Sequence, residues 1–409
     1  MSIKSMDKVE RQRRLSFHAL NSPLFVAGVA LLGYLLIFFI FLNHLGDVRD
    51  FVVIGKPFIT QSDRSSIIHP DPDYDYDKNG VGYDGQFAYF IALDPINARY
   101  YLDQGFVSYR YTRILYPIAA RALALGNRDW VPATMVMVNL LAITGGAWAV
   151  AAWCRRRALS PWLALVYVFY VGQVMGFVRS LNEPLAYALV ALSIYLFERF
   201  PRYRLWAALV FALAALARES TLIFPLLYAL HLFFESAPGL TFTRRLRKGI
   251  LFLAVSIIPA AVWQVWLLSW LGSAGWGQGA GLFRIPLSGL LDLYPLGPST
   301  LEVVEVVIVP GLLCFCVAAS ALWRDPLVRR RAELWALLFN YLLLVTLLYP
   351  DPLIELYGAG RISIPVVLAA IYSLALVRSR WWFYCCGGLW LVSTISYLLN
   401  PISELLHHL

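Results

Sequence analysis

Charge is what this chain has least of. Of its 409 residues 14% are charged and 60% hydrophobic, whereas an ordinary soluble domain is about a quarter charged and about half apolar. That shortage excludes a typical soluble fold. Cysteine is also scarce. The five residues, Cys154, Cys314, Cys316, Cys385 and Cys386, lie in or beside apolar runs, which excludes a disulfide framework. The adjacent Cys385 and Cys386 read as apolar filler, not as a redox pair. The chain has no His-x-x-x-His or Cys-x-x-Cys spacing for zinc, no P-loop and no Gly-x-Ser-x-Gly elbow. No Asn-x-Ser/Thr sequon, internal repeat or low-complexity tract occurs.

What is present is a series of apolar runs of about 17 to 23 residues, each long enough to cross a bilayer core. Lipid offers the backbone no hydrogen bonds, so such runs must be helical. The expected fold is an all-α polytopic membrane protein with about eleven transmembrane helices. Residues 1–22 form a cytoplasmic tail. The basic stretch from Lys4 to Arg14 precedes the run 23–42 with no small-residue cleavage site, so 23–42 reads as a retained first helix. Residues 43–129 form a long outer loop with short interfacial helices. Its apolar stretch 114–125, about 12 residues, is too short to span. Helices two to seven occupy 130–271, at 130–153, 160–178, 184–199, 205–217, 221–235 and 249–271. A Gly/Pro-rich outer loop covers 272–300. Helices eight to eleven lie within 301–409, at 301–323, 332–350, 362–377 and 381–399.

With the N-terminus inside, every inner loop is basic: Arg155–Arg157, then Arg199, Arg202 and Arg204, then Arg244–Lys248, then Arg324 with Arg329–Arg331, and last Arg378 and Arg380. Roughly 21 of the 34 Lys and Arg fall inside, and roughly 19 of the 25 Asp and Glu fall outside or at outer helix ends. The net charge of +9 then reflects topology, not nucleic-acid binding. The expected location is a bacterial plasma membrane, multi-pass, with the C-terminus on the outer side.

The polar chemistry gathers on that outer side. Asp84 stands between Gly82 and Gly85, ahead of the helically spaced Phe87, Phe90 and Ile91; Pro95 ends that helix. Asp84 reads either as a plain helix cap or as a reactive carboxylate. Arg110 and Arg113, then Arg179, Asn182 and Glu183, then Arg218 and Glu219, then Glu355, Tyr357 and Arg361 mark other outer junctions. One at a time, these arginines read as snorkelling side chains, and Arg179–Glu183 as a surface i,i+4 pair. Together they put carboxylates and guanidiniums at one depth, where they can line a common cleft. Arginine suits phosphate because its planar fork bonds two oxygens at once. Tyr83 and Tyr357, like Tyr89 and Trp276, either stack on sugars or belong to the interfacial belt. The run Asp71, Asp73, Asp75 and Asp77 partly matches calcium-loop spacing, but Lys78 stands where that loop needs glycine. A solvated acidic loop is the better reading, so no metal is assigned and no cofactor is required; a divalent ion is the minor alternative. His231, inside an apolar run, reads as a hydrogen-bonded core histidine.

The run Tyr83-Asp84-Gly85-Gln86-Phe87-Ala88-Tyr89-Phe90-Ile91-Ala92 resembles the Trp-Asp-x-x-x-Phe-x-x-Ile-Ala signature of PIG-V-like mannosyltransferases, in the GT-C glycosyltransferase superfamily. Asn182-Glu183-Pro184-Leu185, Arg218-Glu219-Ser220-Thr221-Leu222, and Arg361 ahead of Pro365 resemble that group's later motifs. Arg113-Ile114-Leu115-Tyr116-Pro117 is similar to an element of a bacterial cell-surface glycopolymer branch. Tyr83 stands where the family has Trp, and Glu219 where the mannosyltransferases have Ser. The resemblance implies an inverting transferase. It takes a sugar from a polyprenyl-phosphate carrier and passes it to a glycan or lipid acceptor on the outer face. Asp84 would be general base, with Glu183 and Glu219 as secondary or orienting carboxylates. Arg110, Arg113, Arg218 and Arg361 would hold the donor phosphate; Tyr83, Gln86, Asn182 and Tyr357 would contact substrate. Partners would be that donor, that acceptor and membrane lipids, with no nucleic acid. A transporter or flippase of a lipid-linked sugar is the non-enzyme alternative. It would place polar groups near the membrane midplane, often within repeats. A structural envelope subunit is a third reading.

Overall fold

The computed structural model describes residues 20–57, 75, 80–102, 105–235, 241–275, 285, 288–346 and 351–408. The N-terminal basic stretch, Asp71, Asp73, Asp77 and Trp276 lie outside them. Among the described residues every regular element is helical. The apolar runs become α1 (Pro23–Leu45), α5 (Val131–Arg156), α6 and α7 (Ala164–Val168 and Val171–Val178), α8 (Glu183–Arg199), α9 (Arg204–Ala217) and α10 (Ile223–Phe234). After them come α11 (Phe242–Leu271), α12 (Pro298–Arg324), α13 (Ala332–Thr346), α14 (Leu356–Ser373) and α15 (Trp381–His408). Three short helices precede α5: α2 (Gly85–Leu93), α3 (Val107–Tyr111) and α4 (Leu115–Leu123).

Six of these helices are long and apolar enough to cross a membrane. Two further pairs qualify only as bent units: α6 with α7, bent by 55°, and α8 with α9, bent by 119°. That makes six to eight candidate spans where the sequence suggests about eleven. The difference lies in short elements. The helical stretches 219–234 and 332–346 fall below the length a lone span needs.

Burial sorts the helices. α14 is enclosed: 78% of its apolar window is buried. Only 28% of the α11 window is, and α11 turns Ile250, Ile258, Val262 and Val265 outward. With no water-facing polar stripe on that side, the exposed apolar surface fits lipid. The described part of the long segment after α1 contributes to a second core. Phe87, Phe90 and Ile91 of α2 pack with Tyr116 and Ala120 of α4, Val131 and Met135 of α5, and Leu267 of α11. α4 fills the short apolar stretch near residues 114–125 and buries Tyr116, Pro117 and Ala120 while exposing Ile118 and Leu123. This two-sided character suits an interfacial helix.

Two close approaches set the site. A side chain at Gly85 would put its Cβ 2.2 Å from the Arg179 carbonyl, so only glycine lets α2 start against the end of α7. A Cβ at Gly172 would lie 2.2 Å from the Gly360 carbonyl, so the first turn of α14 rests on α7. Pro365, inside α14, lacks the N–H that would bond the Arg361 carbonyl.

Candidate functional site

Asp84 does not cap α2: its side chain makes no cap hydrogen bond. Its carboxylate is instead held between two guanidiniums. Arg110 Nη1 donates to Oδ1 at 2.9 Å, and Arg361 Nη2 lies 2.5 Å from Oδ2. Asp84 remains about a quarter exposed. Although burial alone would raise its pKa, Arg361 and then Arg110 and Arg113 outweigh that and hold it well below the usual carboxylate range.

Two further ion pairs extend the cluster. Arg113 meets Glu219 with its fork, Nε to Oε2 at 3.0 Å and Nη2 to Oε1 at 2.7 Å, and also donates to the Tyr109 hydroxyl. Arg218 Nη1 donates to Glu183 Oε1, while Arg361 Nε stands 3.7 Å from the same oxygen. Glu183 is 2% exposed, so this pair is fully enclosed. Arg218 Nε also donates to Ser220 Oγ at 3.2 Å, which lies 3.1 Å from the Tyr187 hydroxyl. Three carboxylates and four arginines from five separate stretches of chain thus form one network. The Nε atoms of Arg110 and Arg361 are buried without a hydrogen-bond partner, leaving donors in place for an anion.

The reading of Arg179–Glu183 as a surface pair is corrected. Glu183 turns inward to Arg218 and Arg361, and Arg179 lies over the Tyr83 ring at 5.4 Å and the Tyr357 ring at 5.7 Å. Arg361 covers Tyr83 as well, at 5.2 Å. Tyr83 therefore stacks on guanidiniums beside Asp84. Asn182, at the α8 N-terminus, keeps a buried Oδ1 with no partner. Gln86 points away from this chemistry. It is 2% exposed, accepts from Gly55 N–H at 3.0 Å and donates to the Val81 carbonyl at 3.2 Å. Both ends of its amide tie down the loop before α2, so its placement is structural, not ligand-facing. His231 Nδ1 lies 2.6 Å from the Arg330 carbonyl, a hydrogen-bonded histidine as expected, but at the far end of the bundle.

Two cavities adjoin the network. One, about 410 Å³, is largely apolar. Arg113, Arg218 and Glu219 stand at its polar side, and Leu222, Ile223, Leu343 and Leu344 line its depth. The other, about 670 Å³, is more polar and includes Arg179, Glu302, Glu355, Tyr357 and Tyr397. Among the described residues no group of three His, Cys, Asp or Glu is placed to hold a metal ion.

Sequence reasoning passed over Tyr109, Tyr187 and Ser220. Their signal was adjacency: Tyr109 precedes Arg110, and Ser220 follows Glu219. Tyr187 lies one helical turn after Glu183. Comparison with known proteins returns nothing: no protein-family model matches this chain, and neither does any curated protein or solved structure.

Proposed function

We propose that this protein is a membrane glycosyltransferase, which moves a sugar from a polyprenyl-phosphate donor to a hydroxyl of a glycan or lipid acceptor. One observation carries the reading: a charge network that holds Asp84 between Arg110 and Arg361 and sets Arg113, Arg218 and Glu219 at the polar side of an apolar cavity. A phosphate on a hydrocarbon chain is the amphiphile that such an arrangement fits. The motif resemblance to GT-C enzymes points the same way.

In this reading the lipid chain enters the apolar cavity and its phosphate meets Arg113 and Arg218, with Arg110 and Arg361 alongside. The acceptor hydroxyl attacks the anomeric carbon from the face opposite the phosphate. Asp84 takes the hydroxyl proton as the new C–O bond forms. The C–O bond to phosphate breaks, and the electron pair leaves with the lipid phosphate, whose charge the guanidiniums offset. Attack opposite the leaving group inverts the anomeric centre.

Asp84 starts as a weak base, because Arg361 and Arg110 favour its ionised form. A donor phosphate competes for those guanidiniums and strengthens Asp84 as a base at the moment it is needed. Glu183 and Glu219 orient Arg218 and Arg113. Tyr83 and Tyr357 supply sugar-stacking faces.

The topology that belongs with this reading has eleven crossings: α6–α7 as one, α8 and α9 as two across their sharp bend, and α10 and α13 as short crossings shielded by neighbours. Basic loops lie in the cytoplasm, and Asp84 faces the outer side of a bacterial plasma membrane.

The test is sugar transfer from labelled polyprenyl-phosphate donors in proteoliposomes, wild type against Asp84→Asn, with an envelope extract as acceptor. Transfer by wild type that is lost in a folded variant supports the reading. Equal transfer by both removes Asp84 from the mechanism. Failure across a donor panel, with lipid-linked sugar crossing the bilayer, makes the protein a flippase.

A further inference from the structure

A second charged cavity lies at the opposite end of the bundle. Glu183 opens α8 beside Asp84, and Glu198 lies near the other end of the same helix, about 22 Å away at about 1.5 Å per residue. Around Glu198 is a cavity of about 510 Å³. Its lining brings five arginines (156, 157, 204, 330 and 331) against three glutamates (198, 235 and 333). Two of the arginines are matched by fork-to-carboxylate pairs. Arg157 bonds Glu198 at 3.0 and 2.7 Å, and Arg204 bonds Glu235 at 2.8 and 3.0 Å. Among the described residues neither Arg156 nor Arg331 forms an ion pair. The cavity therefore has unmatched positive charge.

It also has unmatched hydrogen-bonding groups. Glu333 is 4% exposed and Tyr228 2%. The Oε2 of the first and the hydroxyl of the second are buried without a partner, and both residues line the cavity. Basic loops that only set topology need arginines at the surface. They do not need a buried glutamate and a buried tyrosine hydroxyl facing those arginines. Buried polar groups are normally satisfied, so these two atoms mark where a ligand's polar groups belong.

We infer that this cavity binds a hydroxyl-bearing phosphate ester: the phosphate against Arg156 and Arg331, and a hydroxyl donating to Glu333 and meeting Tyr228. The volume lies in the range of small-molecule sites. Phosphate answers the excess of arginine. The unpartnered Glu333 Oε2 calls for a donor beside the phosphate, and a hydroxyl on the ester's organic part supplies one. The ester comes from one of two sources, a lipid headgroup such as phosphoglycerol or a soluble sugar or glycerol phosphate. This site is separate from the Asp84 network and stands whether or not that network transfers sugar.

The test uses the full-length protein in phosphatidylcholine nanodiscs, with thermal unfolding as readout. One arm adds glycerol 1-phosphate; the other replaces part of the lipid with phosphatidylglycerol; inorganic phosphate is the comparison. The expected result is a saturable rise in unfolding temperature. Half-saturation moves upward about tenfold or more in the double variant Arg156→Ala/Arg331→Ala, and by less in Glu333→Gln and Tyr228→Phe. Inorganic phosphate binds more weakly than the ester. A shift with glycerol phosphate assigns a soluble ligand; a shift with phosphatidylglycerol alone assigns a headgroup. No shift in either arm overturns the inference, as does a shift that the arginine double variant retains in full. Should that variant not fold, native mass spectrometry of the wild type decides. Retention of phosphatidylglycerol or glycerol phosphate over phosphatidylcholine supports the site, and no such preference overturns it.

Discussion

The two ends of the bundle hold arginines and glutamates in similar number but arrange them differently. At the Asp84 end all three carboxylates are paired, Asp84 and Glu183 with two arginines each. The groups come from loop helices and helix ends brought together across the chain. At the far end two of the three glutamates are held by arginine forks, and Glu333 faces the cavity with an unmatched oxygen. Its arginines sit at helix ends and in the short connections beside them. The contrast separates two uses of charge. A closed network fixes a carboxylate in place and lends it to chemistry. One with an unpaired carboxylate waits for a ligand that brings a donor to it. The same residue types, read from composition alone, look like one feature.

The largest expected effect tests whether only one end carries the reaction. Asp84→Asn should lower transfer by about 10²–10⁴-fold, the usual worth of a positioned base, whereas Glu333→Gln should leave transfer near wild type. Equal losses would break the distinction. Next in size is stability. Arg218→Ala leaves Glu183, 2% exposed, without its main partner and should cost about 3–5 kcal/mol. Arg204→Ala frees Glu235, more than a quarter exposed, and should cost about 1 kcal/mol or less. Denaturation of both variants in the same detergent ranks the two ends directly. A smaller effect is expected at Tyr83. Removing its ring in Tyr83→Ala takes away contacts with Arg361 and Arg179 worth about 0.5–2 kcal/mol, so donor KM should rise several-fold, while Tyr83→Trp should keep wild-type KM.

The smallest effect is in pH. Because the arginines lower the pKa of Asp84, its stabilising contribution is complete above the unfolded carboxylate value of about 3.9 and is lost as pH falls below it. The difference in unfolding temperature between wild type and Asp84→Asn should be constant from about pH 8 to about pH 5 and shrink below about pH 4. A change between pH 6 and 7 would mean that the arginines do not hold Asp84 as described.

The parts legible in the sequence were those with local causes. Apolar runs located the helices, since length and hydropathy are properties of one segment. The stretch around α4 was readable as too short to span. The placing of Asp84 between glycines was visible, and Gly85 is the one that lies against the Arg179 carbonyl. Pairing was not legible. Arg179 and Glu183 are four apart and suit each other on paper, yet Glu183 turns inward, because Arg218 and Arg361 reach it from other helices. Gln86 stood in the motif like its neighbours, but the strand of loop at Gly55 and Val81 claims its amide. The far cavity went unseen because the charge rule explained its arginines before anything asked why Glu198, Glu235 and Glu333 accompany them.

The sequence by itself determined that this chain is helical, apolar and suited to a membrane, and which polar residues fall near the helix ends. Hydrophobic burial and backbone hydrogen bonding act along the chain, so their outcome can be read along it. The tertiary structure alone decided which arginine meets which carboxylate, which polar atoms stay unmatched and where an apolar cavity opens beside charge. Those outcomes depend on distances between segments more than a hundred residues apart, as with Arg113 and Glu219. A charge-assisted hydrogen bond needs its two atoms within about 3 Å, so packing, set by contacts such as Gly172 against Gly360, determines which pairs form.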